Sequence, residues 1–597
     1  MYKFTKKGNV MFKLLKKLDT KQYILIAIVS LMVFVQIWLE LRMPDYMATV
    51  TRLVQTPGSK MDDIWINGLY MLLCALGSMI IAIFTGYLIA YISSRLSFNL
   101  REGLFHKVSI LAQSDIDDFS TASLITRSTN DITQVEMLIS MGLMIILRSP
   151  LMAVWSITKI LGRGIEWSIA TAIALVIMLI VILILVKIVV PKFKIVQNLT
   201  DKLNSVSREN LSGIRVVRAF NAENYQEEKT QKVNDELTKT QKFTQKSFAI
   251  MQPLIMTLMY GLTLTIYIIG AILIKNASFT NKIEVFGNMI VFSSYSMQVI
   301  MSFLMMAFML VFMSRAQVSA NRINEVFEKK ASISEGNFNS ETNLKGIVEF
   351  KNVSFKYPGA KEYVLNDINF KTKKGETVAF IGSTGSGKST LINLIPRFFD
   401  ITEGEILIDG INVKDYKFEN LYNKIGYVSQ KAIMFNRTVK ENINFGKTGH
   451  DISEQDILEA ISISQVKEFV QKLENKENSL ISRGGTNISG GQKQRLSIAR
   501  AIARKPEIFI FDDSFSALDF KTESILRKKL NDYIKDSTKL IVASRVGSVL
   551  HADKIIVLDE GKIVGIGSHE DLLKSNKLYK EIALSQLSEE ELYGSTK

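Results

Sequence analysis

The chain has 597 residues, 47% of them hydrophobic, a net charge of +15 and one cysteine. A lone cysteine excludes any intrachain disulfide, so nothing in the fold depends on an oxidising compartment. The composition shifts near Ser314, from a Met/Ile/Leu-rich half to a mixed, Gly-punctuated half, which argues against one uniform globular domain.

The residues before Asp19 include Lys3, Lys6, Lys7, Lys13, Lys16 and Lys17 with no acid. Six charge-poor stretches follow: Tyr23 to Leu39, Ile64 to Ser94, Leu138 to Thr158 interrupted only by Arg148, Trp167 to Val186, Ser247 to Ile274 and Val285 to Ser314. A helix crosses the hydrocarbon core in roughly 20 residues, so each can span, the first by extending past Glu40. The first stretch is not a cleaved signal, because Trp38, Glu40 and Arg42 stand where small residues would mark a cleavage site. The positive-inside rule places the basic N-terminus in the cytoplasm, and six crossings return the second half to that side. Much of the excess positive charge falls where anionic lipid headgroups explain it, so the bilayer is the expected partner and nucleic acid is not.

Two inner loops, 95–136 and 187–246, are long and polar, whereas the outer connections are short. Residues 187–246 show helical apolar spacing, so membrane helices are expected to continue into the cytoplasm, about 25 residues per limb and roughly 37 Å of projection at 1.5 Å per residue. Gly213 is the expected break between the limbs, and Phe220 an aromatic near the tip, available for docking or folded back into the hairpin. In the sixth stretch Met and Phe alternate with Asn288, Ser293, Ser294, Tyr295 and Gln298. Thioether and aromatic surfaces suit a cavity for varied hydrophobic compounds, and ordinary helix packing accounts for the same composition. Arg148 is either a substrate contact or a structural anchor, and no acid is expected deep in a span.

Beyond a polar linker the strand-like ETVAFIG runs into Gly382, Ser383, Thr384, Gly385, Ser386, Gly387, Lys388 and Ser389, with Thr390 opening the apolar helical run after it. Strand, G-x-x-x-x-G-K-S and helix together form a P-loop context. Its glycines let backbone N–H groups curl around phosphate oxygens, and the helix N-terminus adds a favourable dipole. Lys388 is expected to reach the β- and γ-phosphates of ATP and the Ser389 hydroxyl to ligate Mg²⁺. A second apolar run, IFIF, ends in Asp512, a carboxylate for the same metal.

Many P-loop proteins share those elements; Asn487 to Ala501, NISGGQKQRLSIARA, is more specific. With Ser489, Gly490, Gly491 and Gln492 preceded by Ile488, the chain resembles the ATP-binding cassette (ABC) family, and this glycine turn opening a helix is a second anion site. The resemblance covers nearly the whole chain and implies a multidomain protein: an all-α six-helix transmembrane exporter domain followed by an α/β P-loop nucleotide-binding domain. The expected boundaries are a basic segment at 1–20, the membrane domain at 21–320, a linker at 321–345, the cassette at 346–585 and a tail at 586–597. By the same resemblance Tyr357 stacks on adenine, Gln430 senses Mg²⁺ and the transmembrane arms, and Ser516 to Asp519 crosses between paired cassettes.

Two positions depart from the family. Where the pattern places a general-base glutamate after Asp512 this chain has Asp513, and where it places a switch histidine this chain has Ser544. A carboxylate one methylene shorter falls roughly 1 Å short of the attacking water, and such a misplacement can cost about 100-fold in rate. Serine lacks the reach and the titratable ring of histidine, and His551, across a helical segment, is not taken as its substitute. With the signature intact, the resemblance implies a heterodimeric bacterial multidrug exporter in which this chain carries the degenerate site. A heterologous half-transporter is expected to supply the catalytic Glu and His, and the substrate to be a hydrophobic small molecule. A peptide or lipid exporter and an ATP-gated channel or regulatory subunit are the alternatives.

Overall fold

A computed structural model describes residues 13–14, 16–161, 163–278 and 281–587. Lys3, Lys6 and Lys7 of the basic segment, and 588–597 of the tail, lie outside the described residues. The chain divides into two units, Met1–Ser109 with Ala122–Lys329 and Ile110–Thr121 with Lys330–Lys597.

The first unit is helical. Its six long helices are α1 (Thr20–Gln55), α2 (Met61–Ser109), α3 (Thr121–Leu161), α4 (Ile165–Ser212), α5 (Glu223–Asn276) and α6 (Lys282–Glu328), each with a segment long and apolar enough to cross a membrane. Helix α1 starts where the Asp19 amide donates to the Gln22 side chain at 2.7 Å, meeting one donor that the first turn leaves open. Leu31, Ile83 and Leu183 are exposed by 66%, 63% and 66%, outward apolar surface that suits lipid. The interior adds hydrogen-bonded polar groups to its apolar packing: Trp167 is buried with its indole N–H donating to the Ile266 carbonyl at 3.1 Å, and Thr171 meets Ser296 at 3.0 Å.

Helix α4 continues past the apolar stretch to Ser212, where the Gly213 amide closes the helix on the Glu209 carbonyl at 2.9 Å. After a short turn of helix, Ile214–Ala219, α5 begins at Glu223. Phe220 is 78% exposed, so of its two expected settings the one folded back into the hairpin does not occur. The sixth helix runs to Glu328, so 321–328 are helical rather than linker.

The second unit is built on strands. A four-stranded antiparallel sheet has the order β2-β1-β4-β5, from Val348–Phe355 (β1), Leu365–Lys371 (β2), Glu403–Ile408 (β4) and Ile411–Asn412 (β5). The main sheet has the order β12-β11-β3-β10-β9-β6, from Thr377–Gly382 (β3), Ile425–Val428 (β6), Ile508–Asp512 (β9), Thr538–Val542 (β10), Lys554–Asp559 (β11) and Lys562–Gly567 (β12). A two-stranded ribbon joins Arg437–Thr438 (β7) and Leu480–Ile481 (β8). Strands β6, β9, β10, β3 and β11 run parallel, and β12 is antiparallel at the edge. Burial on both faces explains why β3 and β9 read as continuous apolar runs, while β12 alternates exposed and half-buried residues.

Residues 110–121, from the first inner loop, cluster with this second unit. Asp115 is buried, and its Oδ2 accepts from the Ser332 amide at 2.9 Å and the Ser332 hydroxyl at 3.1 Å.

Candidate nucleotide site and membrane cavity

In parallel sheets, sites form beyond the carboxyl ends of the strands. Strand β3 ends at Gly382, and the loop after it turns into α7 (Lys388–Leu394). A side chain at Gly382 would lie 2.0 Å from the Leu558 carbonyl oxygen. Gly387 sits at φ +95°, with a Cβ there 2.7 Å from Leu365 Cδ2. Only glycine fits either position, and the result is a tight backbone loop of the kind whose amides cradle an anion, closed by the Ser386 amide donating to the Ser383 carbonyl at 3.2 Å.

Lys388 is folded into that loop: its ammonium donates to the carbonyls of Gly382 at 2.9 Å and Ser383 at 2.7 Å, and to Ser386 Oγ at 3.3 Å. Burial pushes the Lys388 pKa down, and the carboxylates of Asp513 and Asp512 oppose that shift. The Ser389 hydroxyl donates to Asp512 Oδ1 at 2.7 Å. Burial raises the Asp512 carboxyl above its ordinary value, with the Ser389 hydrogen bond acting the other way. A hydroxyl and a carboxylate meeting beside a phosphate cradle form a hard oxygen donor set of the kind Mg²⁺ takes. The residues present therefore fit ATP with Mg²⁺: the loop would hold the phosphates, and Ser389 and Asp512 the metal.

Asp513 sits at φ 45°, its amide donating to the Val542 carbonyl at 3.0 Å. Gln430 reaches it, Nε2 to Oδ2 at 3.4 Å. Tyr357 donates to or accepts from Thr390 Oγ1 at 3.0 Å and stands edge-on to Phe355 and Phe399, 5.0 Å and 5.3 Å between ring centres. The fold thus brings Tyr357, 382–390, Gln430, Asp512 and Asp513 to one region.

The signature is placed apart from them. Ser489 caps α8 (Gly490–Ala503), accepting from the Gln492 amide at 3.3 Å while its own amide donates to Gln492 Oε1 at 2.8 Å. Ser489 and Gly490 are exposed. Nothing lies within 4 Å of a Cβ built on Gly490, whereas one on Gly491 would meet the Ala517 carbonyl at 3.3 Å. Ser544 is exposed just beyond β10, its carbonyl accepting from Gln586 Nε2 at 3.0 Å. His551 lines a cleft with Thr377 and Lys539, near the amino ends of β3 and β10, on the sheet face opposite α7.

The helical unit holds its own cavity, of about 860 Å³, walled by Met144, Met152, Met297, Met301 and Met305 with Arg148, Ser293, Ser294 and Gln298. Arg148 donates to Glu40 Oε2 at 2.7 Å, and Glu40 Oε1 accepts from Gln36 and Ser78. The Glu40 side chain is only 14% exposed, so an acid does stand inside the bundle, against the expectation that none would. Asp45, one turn further, takes Lys159 at 2.8 Å and Arg163 at 2.7 Å, and the Tyr295 hydroxyl at 3.0 Å. Both acids follow the first charge-free stretch, and continuing its helical spacing past Leu39 was the signal that could have found them.

A P-loop domain joined in one chain to six membrane-crossing helices defines an ATP-binding membrane transporter with half-transporter architecture. Family models described as "ABC transporter transmembrane region" and "ABC transporter" match residues 24–331 and 365–516. The uncharacterized ABC transporter ATP-binding protein YfiB of Bacillus subtilis (strain 168) is 33% identical, over 96% of this chain and 98% of its own length. An ATP-dependent lipid A-core flippase of Haemophilus influenzae (strain 86-028NP) is 30% identical, over 84% and 85%. A solved bacterial Atm1-family ABC exporter with ATP bound aligns at a TM-score of 0.79 with 21% identity, covering 95% of this chain and 99% of that one, a likeness of fold. The chain belongs to the ABC transporter family and is a multi-pass membrane protein with an ATP-binding domain.

Proposed function

We propose that this chain is the subunit with the impaired nucleotide site in a heterodimeric exporter that moves hydrophobic or amphipathic compounds out of a bacterial cell, both termini cytoplasmic. The observation that carries the reading is the Asp513 carboxylate. Its backbone is fixed by the Val542 carbonyl, and its short side chain extends only to the Gln430 amide at 3.4 Å. A water held for a glutamate at that position would lie out of reach. The exposed Ser544 offers no imidazole to the γ-phosphate.

The signature supports the other half of the reading. Ser489 and Gly490 face outward with open space above Gly490, room for a nucleotide held by a second cassette. A partner bearing Glu and His in its own site would turn over ATP there, and Ser389, Gln430 and Asp512 of this chain would hold Mg²⁺ with a nucleotide that is hydrolysed slowly. The five methionines of the membrane cavity support a repackable site for varied apolar substrates.

A lipid substrate is the second reading, favoured by the flippase among the relatives. Purifying the heteromeric complex and comparing two variants tests the proposal. Asp513→Ala should change ATPase turnover far less than removal of the partner's glutamate; equal losses would refute the asymmetry. Stimulation by small amphipathic compounds, and not by lipids, would separate the two substrate readings.

A further inference from the structure

We infer that the cleft between α9 (Phe520–Tyr533) and the main sheet is an anion site separate from the P-loop and the signature turn, shaped for a phosphate-bearing small molecule. Helical spacing brings Ser524, Arg527, Lys528 and Asn531 to one face of α9, lining a space of about 430 Å³ whose opposite wall carries Lys539. Its floor includes Phe511 and Phe515, whose rings are 5.1 Å apart.

Of the cations here, Lys539 is short of acceptors and Arg527 is held loosely by one carboxylate. Arg527 is ion-paired with Glu523 at 3.5 Å, but its Nε makes no hydrogen bond; Glu523 Oε1 accepts from Ser548, and Glu523 Oε2 is buried without a partner. Lys539 is 5% exposed, and its ammonium donates to one group, the Ile534 carbonyl, at 3.2 Å. Asp553, the acid acting on Lys539, accepts from the Thr377 amide at 2.8 Å. Asp532 is the one acid among the residues lining the cleft, against Arg527, Lys528 and Lys539. A buried ammonium is nearly always fully hydrogen-bonded, and a phosphate would offer Lys539 its missing acceptors while also facing Arg527 and Lys528.

This cleft is distinct from the P-loop. Phe511 and Ile541 face it, whereas α7 packs on the other sheet face with Ile510, Leu540 and Val542. An occupant would touch Phe511, next to Asp512, and so bear on the nucleotide site from behind.

The test uses the full-length chain in detergent, its P-loop saturated with a non-hydrolysable ATP analogue and Mg²⁺, and measures radiolabelled inorganic phosphate by equilibrium dialysis. One saturable phosphate per chain is expected, weakened about tenfold or more by Arg527→Gln and by Lys539→Met, with affinity for the analogue retained. Should either variant misfold, Lys528→Gln at the exposed rim should still weaken phosphate severalfold. Absence of saturable phosphate, or equal affinity in folded variants, would overturn the inference.

Discussion

Ser389 and Asp512, 123 positions apart in the chain, meet through a 2.7 Å hydrogen bond between the amino end of α7 and the carboxyl end of β9. The P-loop and the β9 strand are brought together by β10, which pairs in parallel with both β3 and β9. Strand β9 delivers Asp512, and the loop and helix that follow β3 deliver Ser389, to the same end of the sheet.

That relationship has a pH consequence. Burial raises the folded-state pKa of Asp512 above its unfolded value. Such a group adds stability below its unfolded pKa and loses it as pH rises through the folded one, so at neutral pH the ionised carboxylate opposes folding of the nucleotide-free protein. Asp512→Asn should therefore raise the melting temperature without nucleotide at pH 7 while removing the extra stabilisation by Mg²⁺ with ATP. Thermal unfolding with and without Mg²⁺ checks both signs.

Lys388 meets carbonyls of its own loop and is positioned to exchange them for phosphate oxygens. Lys388→Ala should weaken ATP binding roughly ten- to a hundredfold, the scale of a lost charged hydrogen bond. Equilibrium binding of a fluorescent ATP analogue measures it.

In the membrane unit, Glu40→Gln leaves Arg148 without its carboxylate. The cost should be about 2 kcal/mol, below the roughly 3–5 kcal/mol of a fully buried pair because Arg148 is partly exposed. Replacing both residues, Glu40→Gln with Arg148→Met, should recover part of that stability, which denaturation of the purified protein in detergent would report.

At the signature, Gly490→Leu fills space that nothing in this chain occupies. The protein should fold and bind ATP at its own P-loop normally, while turnover of the complex falls by about tenfold or more as the trans nucleotide is displaced. Paired measurements of binding and turnover separate the two effects.

Much of this was legible in the sequence because its signals are local. A charge-free run of lipid-facing residues is its own evidence for a span, and β3 and β9 read as strands because both faces are buried. Gly382 and Gly387 stand where a side chain would collide, so the P-loop pattern and the geometry agree. What escaped were partners distant in sequence. Glu40 lies beyond the first apolar stretch, and nothing local pairs it with Arg148, 108 positions on. Asp115 and Ser332 meet only because 110–121 folds with the second unit, 217 positions from its hydrogen-bond partner. Helix α6 overran the expected linker because polarity alone does not end a helix: Arg322 is a good helix former, and no Gly or Pro stands between Ser314 and Glu328.

The most direct measurement is the ATPase rate of this chain purified by itself in lipid. Slow turnover is expected, about 100-fold or more below that of the heteromeric complex, with ATP still bound at the P-loop. Rapid hydrolysis by a self-paired chain would contradict the account.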